Sequence, residues 1–195
     1  MKNGMHVVFV VSFAALLSAS SLAQTAVPPP PRPADSGPSL ADTMKFIQEK
    51  LNDIGKVNFV TFFQNTTDNS NLSNIQTNEV SNVVADPNQC RVTYHWKVTR
   101  DGATMMNGDF WFSLRDVKDI VIKPYTQYQS ELNASLGNPN FIITSTNPPL
   151  SAMMVRRPHD VVNLFPFTDA DTADRAAKAF THAVELCGGG NKDPF

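Results

Sequence analysis

The sequence predicts an α+β domain, and three observations carry that expectation. An amphipathic helical pattern opens the folded region, a long middle section reads as strands, and a second amphipathic helix closes it. Helix, then about eight short antiparallel strands, then helix is an α+β order, because strands and helices are not regularly alternated.

The first helix is expected over residues 39–54. Ser39 is a good N-cap, Asp42 sits three residues on, and Gly55 supplies the stop. Leu40, Met44, Ile47, Leu51 and Ile54 recur at intervals of four and three, which places them on one face that must lie on something apolar.

The strands come next. Residues 57–64 are rich in β-branched and aromatic side chains, and the polar tract 65–71 reads as an exposed loop. Residues 75–85 resume a strand-like pattern and stop at Asp86-Pro87-Asn88. The clearest alternation follows: Cys90, Val92, Tyr94, Trp96 and Val98 on one face, with Arg91, Thr93, His95, Lys97 and Thr99 on the other. Asp101-Gly102 is a hairpin signal leading into residues 105–114, with Phe110-Trp111-Phe112 at the centre. Those three aromatics must divide between two faces; if Phe110 and Phe112 are core, Trp111 points outward, either covered by another element or acting as a binding anchor. Further strands are expected over 120–125, 141–146, 150–156 and 161–167. In the closing helix Thr168 is the expected cap, Asp169 and Asp171 suit the positive end of the helix dipole, and Ala173, Ala176, Ala177, Phe180, Val184 and Cys187 form the apolar stripe. Gly188-Gly189-Gly190 ends it.

The order of elements, with Phe165-Pro166-Phe167 running into the Ala-rich helix, resembles a pleckstrin-homology-like domain over residues 57–187. The resemblance implies a bent antiparallel sheet or partial barrel of about eight strands, plugged at one end by the C-terminal amphipathic helix, with the helix at 39–54 as an addition. It implies binding as the commonest use of the fold, although fold alone does not fix function. Phosphoinositide recognition does not follow, since no matching basic loop lies between the first strands.

Outside the domain, Met1 to His6 carries one fixed charge at Lys2, an apolar run covers 7–17, and small residues surround Ser21 and Ala23. That layout is a secretory signal peptide over 1–23 with cleavage before Gln24. The apolar run falls short of the roughly 20 residues a membrane span needs. Removing it takes away one lysine and no acid, leaving 15 basic against 18 acidic side chains. That balance argues against a nucleic-acid binder, whose footprint is a strongly basic face. Residues 24–38 hold Pro28-Pro29-Pro30-Pro31 and read as a semi-rigid polyproline linker, or alternatively as a docking peptide. The domain is expected at 39–188 and a flexible tail at 189–195.

An exported chain, periplasmic or secreted, with two cysteines is read as carrying one disulfide, Cys90–Cys187; two buried free thiols are the alternative. Closing a loop of that length stabilises by roughly 4.7 kcal/mol in the chain-entropy picture. No metal-ligand spacing, nucleophile elbow or Gly-rich phosphate loop is present, so no catalytic, metal or cofactor residues are assigned. His95 reads as a solvated strand residue and His182 as an ordinary partner for Lys178 or Glu185. Asn65, Asn71 and Asn133 each begin an N-x-S/T triplet, a pattern that an Asn-rich chain produces by chance. The basic cluster Arg156, Arg157 and His159 has the fork chemistry to receive an anion or acidic partner; the alternative is a charged strand edge that discourages pairing. The expected function is non-catalytic binding of an exported protein or small ligand, with no stable membrane span. An enzyme with a non-motif active site and a structural envelope component are the alternatives.

Overall fold

The computed structural model describes residues 37–138 and 140–190. The signal peptide, nearly all of the linker and residues 191–195 lie outside the described residues. No helix among the described residues is long and apolar enough to cross a membrane.

Helix α1 (Leu40–Ile54) begins as its sequence dictates: the Ser39 hydroxyl accepts from the Asp42 amide at 3.2 Å, and Gly55 ends it at φ 52°. Eight antiparallel-paired strands follow: β1 (Lys56–Asn65), β2 (Asn71–Asp86), β3 (Arg91–Arg100), β4 (Ala103–Ser113), β5 (Asp119–Pro124), β6 (Phe141–Asn147), β7 (Ser151–Arg156) and β8 (Val162–Phe167). Every strand expected from the sequence is present. They do not form one sheet, however. Five make the order β4-β3-β2-β1-β6 and three make β5-β7-β8.

A third helix, α2 (Tyr125–Ser135), lies between β5 and β6 where no helix was expected. Its residues are adequate helix formers with no internal Gly or Pro. Only Tyr125 is buried, so no apolar stripe announces it. Helix α3 (Ala170–Leu186) starts one residue later than the sequence reading placed it. Its cap is Asp169, whose carboxylate accepts from the amides of Asp171 and Thr172, rather than Thr168. A carboxylate there gains from the helix dipole as well as from the hydrogen bonds. At the far end Gly188 (φ 77°) donates to the Glu185 carbonyl and Gly189 to that of Val184, a Schellman closure. Gly190 donates to Val117, so the first two residues of the expected tail are anchored.

Strand β2 is bent by a register shift between Ser81 and Val84. Before it the inward residues are even-numbered (Gln76, Asn78, Val80); after it they are odd (Val83, Ala85). A bulge frees ladder groups, and α1 satisfies them. The side-chain Oδ1 of Asn52 accepts from the Val83 amide at 3.2 Å, and Oε1 of Gln48 accepts from the Ala85 amide at 3.0 Å.

The main core gathers Met44, Ile47 and Leu51 of α1 with Phe180 of α3, Val92 and Phe112 of the large sheet, and Met153 and Phe165 of the small one. A second cluster joins Val57 and Phe59 of β1 to Tyr125, Ala152, Met154 and Leu164. Strand β7 therefore faces apolar neighbours on both sides, which explains its uninterrupted Ala-Met-Met-Val run. Cys90 and Cys187 are joined by a disulfide with Cα atoms 5.9 Å apart, tying the turn before β3 to the end of α3. Cys90 sits in that turn at φ 51°, one residue before the strand it was expected to open.

Candidate functional site

Helix α2 crosses between the two sheets, and a cleft opens along each of its flanks. The first, about 270 Å³, lies between α2 and the inner face of the large sheet. The second, about 460 Å³, lies between α2 and the small sheet.

Strand geometry furnishes the first cleft. Thr61 pairs with Asn74 across β1 and β2, and Gln76 pairs with Arg100 across β2 and β3, so these side chains share one face. From α2, Gln129 and Asn133 reach the same space because they lie one turn apart. Five side-chain amides line it: Asn74, Gln76, Gln129, Asn133 and Asn138. Phe63 and Phe141, stacked edge to face at 6.2 Å, form an apolar wall.

The inner face changes character along its length. Near α1 it carries Val57, Phe59 and Val80; towards the cleft it carries Thr61, Asn78 and Gln76, all buried although polar. Each has a hydrogen-bond partner within the protein. Gln76 Nε2 donates to Thr61 Oγ1 at 3.1 Å and to Asn74 Oδ1 at 2.9 Å. Trp96 Nε1 donates to Asn78 Oδ1 at 3.3 Å, and Gln129 Nε2 donates to the Tyr125 hydroxyl at 2.9 Å. Burial of Tyr125 pushes its phenol up to about 12, so it stays a neutral donor. With both amide hydrogens of Gln76 and one of Gln129 engaged this way, their carbonyl oxygens remain for a ligand. Arg100 stands at the rim as the cleft's single fixed charge, and among the described residues no acid pairs with it.

The second cleft is lined by Lys118, Lys123, Arg156 and Arg157 with the acids Asp119 and Glu131, and two ion pairs form among them. Lys123 of β5 bonds both carboxylate oxygens of Glu131 on α2, which holds that carboxyl below its ordinary range. Arg156 of β7 lies opposite Asp119 in register and grips it with two hydrogen bonds of 2.6 and 2.5 Å.

Two residues of the expected basic cluster, Arg156 and Arg157, both line this second cleft. Arg156 faces α2. Arg157 continues the extended backbone (φ −124°, ψ 172°), lines the same cleft and acts electrostatically on Tyr94. His159, at φ 62°, sits exposed in the turn beyond. Beside Tyr94, Asn163 Nδ2 donates to the phenol oxygen at 2.7 Å, while Asn163 Oδ1 and Arg157 Nε are buried without partners. Burial raises the Tyr94 phenol.

Other singled-out residues have local explanations. His95 bridges Asp109 at 2.8 Å and Asn107 at 2.9 Å on the outer face of the large sheet. His182 reaches not Lys178 or Glu185 but the Pro38 carbonyl oxygen, 2.9 Å away. Trp111 points outward at 58% exposure, with the Arg91 guanidinium 4.7 Å over its ring. Sequence reasoning missed Arg100 and all five amides. The signal was present in β2, where Gln76 and Asn78 occupy the inward positions while the apolar Ile75 is 62% exposed. Comparison of the chain with protein-family models, curated proteins and solved structures finds no match.

Proposed function

We propose that this protein is an exported, non-catalytic binding domain that holds a small polar ligand in the amide-lined cleft between α2 and the large sheet. The single observation that carries the reading is the buried polar row Thr61, Gln76 and Asn78 on a face that is otherwise core. Burying such groups opposes stability unless their hydrogen bonds are fully met. The bonds that Gln76 donates to Thr61 and Asn74 leave its carbonyl oxygen as an acceptor at the cleft, the arrangement expected of a ligand site.

Amides and one guanidinium can bind and orient, but none of them exchanges protons near neutral pH or offers a nucleophile. That chemistry favours binding over the enzyme alternative. A Cys90–Cys187 disulfide fits an oxidising compartment, in keeping with export. The pleckstrin-homology-like reading keeps its support in the four-strand meander β1 to β4 and in the C-terminal helix packed on both sheets. Helix α2 and the return of β6 beside β1 are elaborations of that plan.

Native mass spectrometry of protein purified gently from its own cells tests the reading. A bound small mass is expected in the wild type and absent from a Gln76→Leu, Thr61→Val double variant. A bare chain, or a mass that survives the double variant, contradicts it.

A further inference from the structure

From the chemistry of the amide-lined cleft we infer its ligand class: a monosaccharide-sized polyhydroxylated molecule bearing one carboxylate, a sugar acid. The inference rests on the binding reading above and sharpens it. Three features converge. Gln76, Gln129 and Asn133 spend amide N–H groups inside the protein, so their carbonyl oxygens face the cleft as acceptors for the hydroxyls that a polyol donates. Five amides from three places in the chain, β2, α2 and the turn after it, line one space of about 270 Å³. That space suits a single ring and is too small for a folded partner or a long peptide. Phe63 and Phe141 give the cleft an apolar wall, the surface that the C–H face of a sugar ring can cover.

Arg100 supplies the remaining specificity. It lies opposite Gln76 in register and is near enough to act on the Tyr125 phenol, so it belongs to the inner face. Among the described residues it makes no ion pair. A guanidinium fork beside neutral hydrogen-bonding groups selects a planar carboxylate. One cation matches one negative charge. A nucleotide would ask for several cations or a nest of backbone amides, and neither lines this cleft.

The test is titration of the full chain with D-glucuronate, D-glucose and acetate, followed through the side-chain amide resonances of Gln76, Gln129 and Asn133. D-glucuronate is expected to shift these resonances and to bind more tightly than either other probe. Arg100→Gln should weaken glucuronate about tenfold, the loss expected for one charge-assisted contact, and leave glucose unchanged. Gln129→Ala should weaken both sugars. Equal binding of glucose and glucuronate, indifferent to Arg100→Gln, would overturn the sugar-acid inference while leaving the cleft as a polyol site. Acetate binding as well as glucuronate would overturn it in favour of a bare carboxylate site. Silence from all three probes would overturn it too, and native mass spectrometry then decides separately whether any small ligand occupies the cleft.

Discussion

Gln76 and Thr61 share a hydrogen bond of 3.1 Å across β1 and β2, at 6% and 1% exposure, on a sheet face whose other buried residues include Val57, Phe59 and Val80. Two polar side chains there are costly to desolvate and return only a modest net gain from bonding each other. Replacing one partner strands the other. Replacing both with apolar groups of similar shape removes the problem. The double change Gln76→Leu, Thr61→Val is therefore expected to leave stability within about 1 kcal/mol of wild type, or to raise it, while removing ligand binding. Thr61→Val alone should cost about 1 kcal/mol. Urea denaturation with native mass spectrometry on the same samples checks both halves.

The disulfide links positions 97 residues apart and clamps α3 to the turn before β3. Cys90→Ser with Cys187→Ser is expected to lower unfolding free energy by about 2–5 kcal/mol, since the unfolded chain regains the freedom of that long loop. Chemical denaturation of the double variant beside the oxidised parent measures it. Reduction of the parent should reproduce the same loss.

Gly189 is held where no side chain fits. A Cβ there would collide with the Leu114 carbonyl oxygen, a backbone atom, and stand 3.1 Å from Val184 Cγ1. Gly189→Ala should cost about 1–3 kcal/mol through overpacking. Its effect should appear as a lowered melting temperature and faster amide exchange at the end of α3, with the cleft unaffected.

His95 is held between the Asp109 carboxylate and the Asn107 carbonyl oxygen, and the Asp109 hydrogen bond is the larger cause raising its pKa above the ordinary value of about 6.5. A raised folded value means the native state holds the proton more tightly than the unfolded chain. The stabilisation is fully present below pH of about 6.5 and is lost as pH rises through the higher folded value. The His95 ring resonances should titrate above about 6.5 in the wild type and fall back towards that value in Asp109→Asn. His95→Gln should remove the corresponding slope of melting temperature with pH.

The sequence showed all eight strands and both flanking helices because their signals are local. Residues 90–99 alternate cleanly, Asp101-Gly102 adopts the two positive φ values of a tight hairpin, and the stripes of α1 and α3 have helical spacing. Sheet membership was not legible, since the pairing of β6 with β1 joins segments about eighty residues apart with no local marker. Helix α2 escaped because one flank faces a polar cleft, which erases the apolar stripe that identifies a packed helix. For the same reason the cleft itself stayed hidden. Gln76 and Asn78 read as ordinary strand residues until the register turns them inward and Ile75 outward. Local rules fail at the positions where polar chemistry has displaced core. Arg156 and Arg157 drew notice as neighbours in sequence and both line the second cleft, but the pairing of Arg156 with Asp119 joins distant segments with no local marker.

The amide-lined cleft is tested most directly by the side-chain amide spectrum of the full chain, recorded before and after adding the small-molecule fraction from the cells that make it. The resonances of Gln76, Gln129 and Asn133 are predicted to shift in the wild type, and to shift far less in Arg100→Gln. If that fraction moves no cleft amide, or moves those of both proteins alike, the account of this cleft as a ligand site anchored by Arg100 is contradicted.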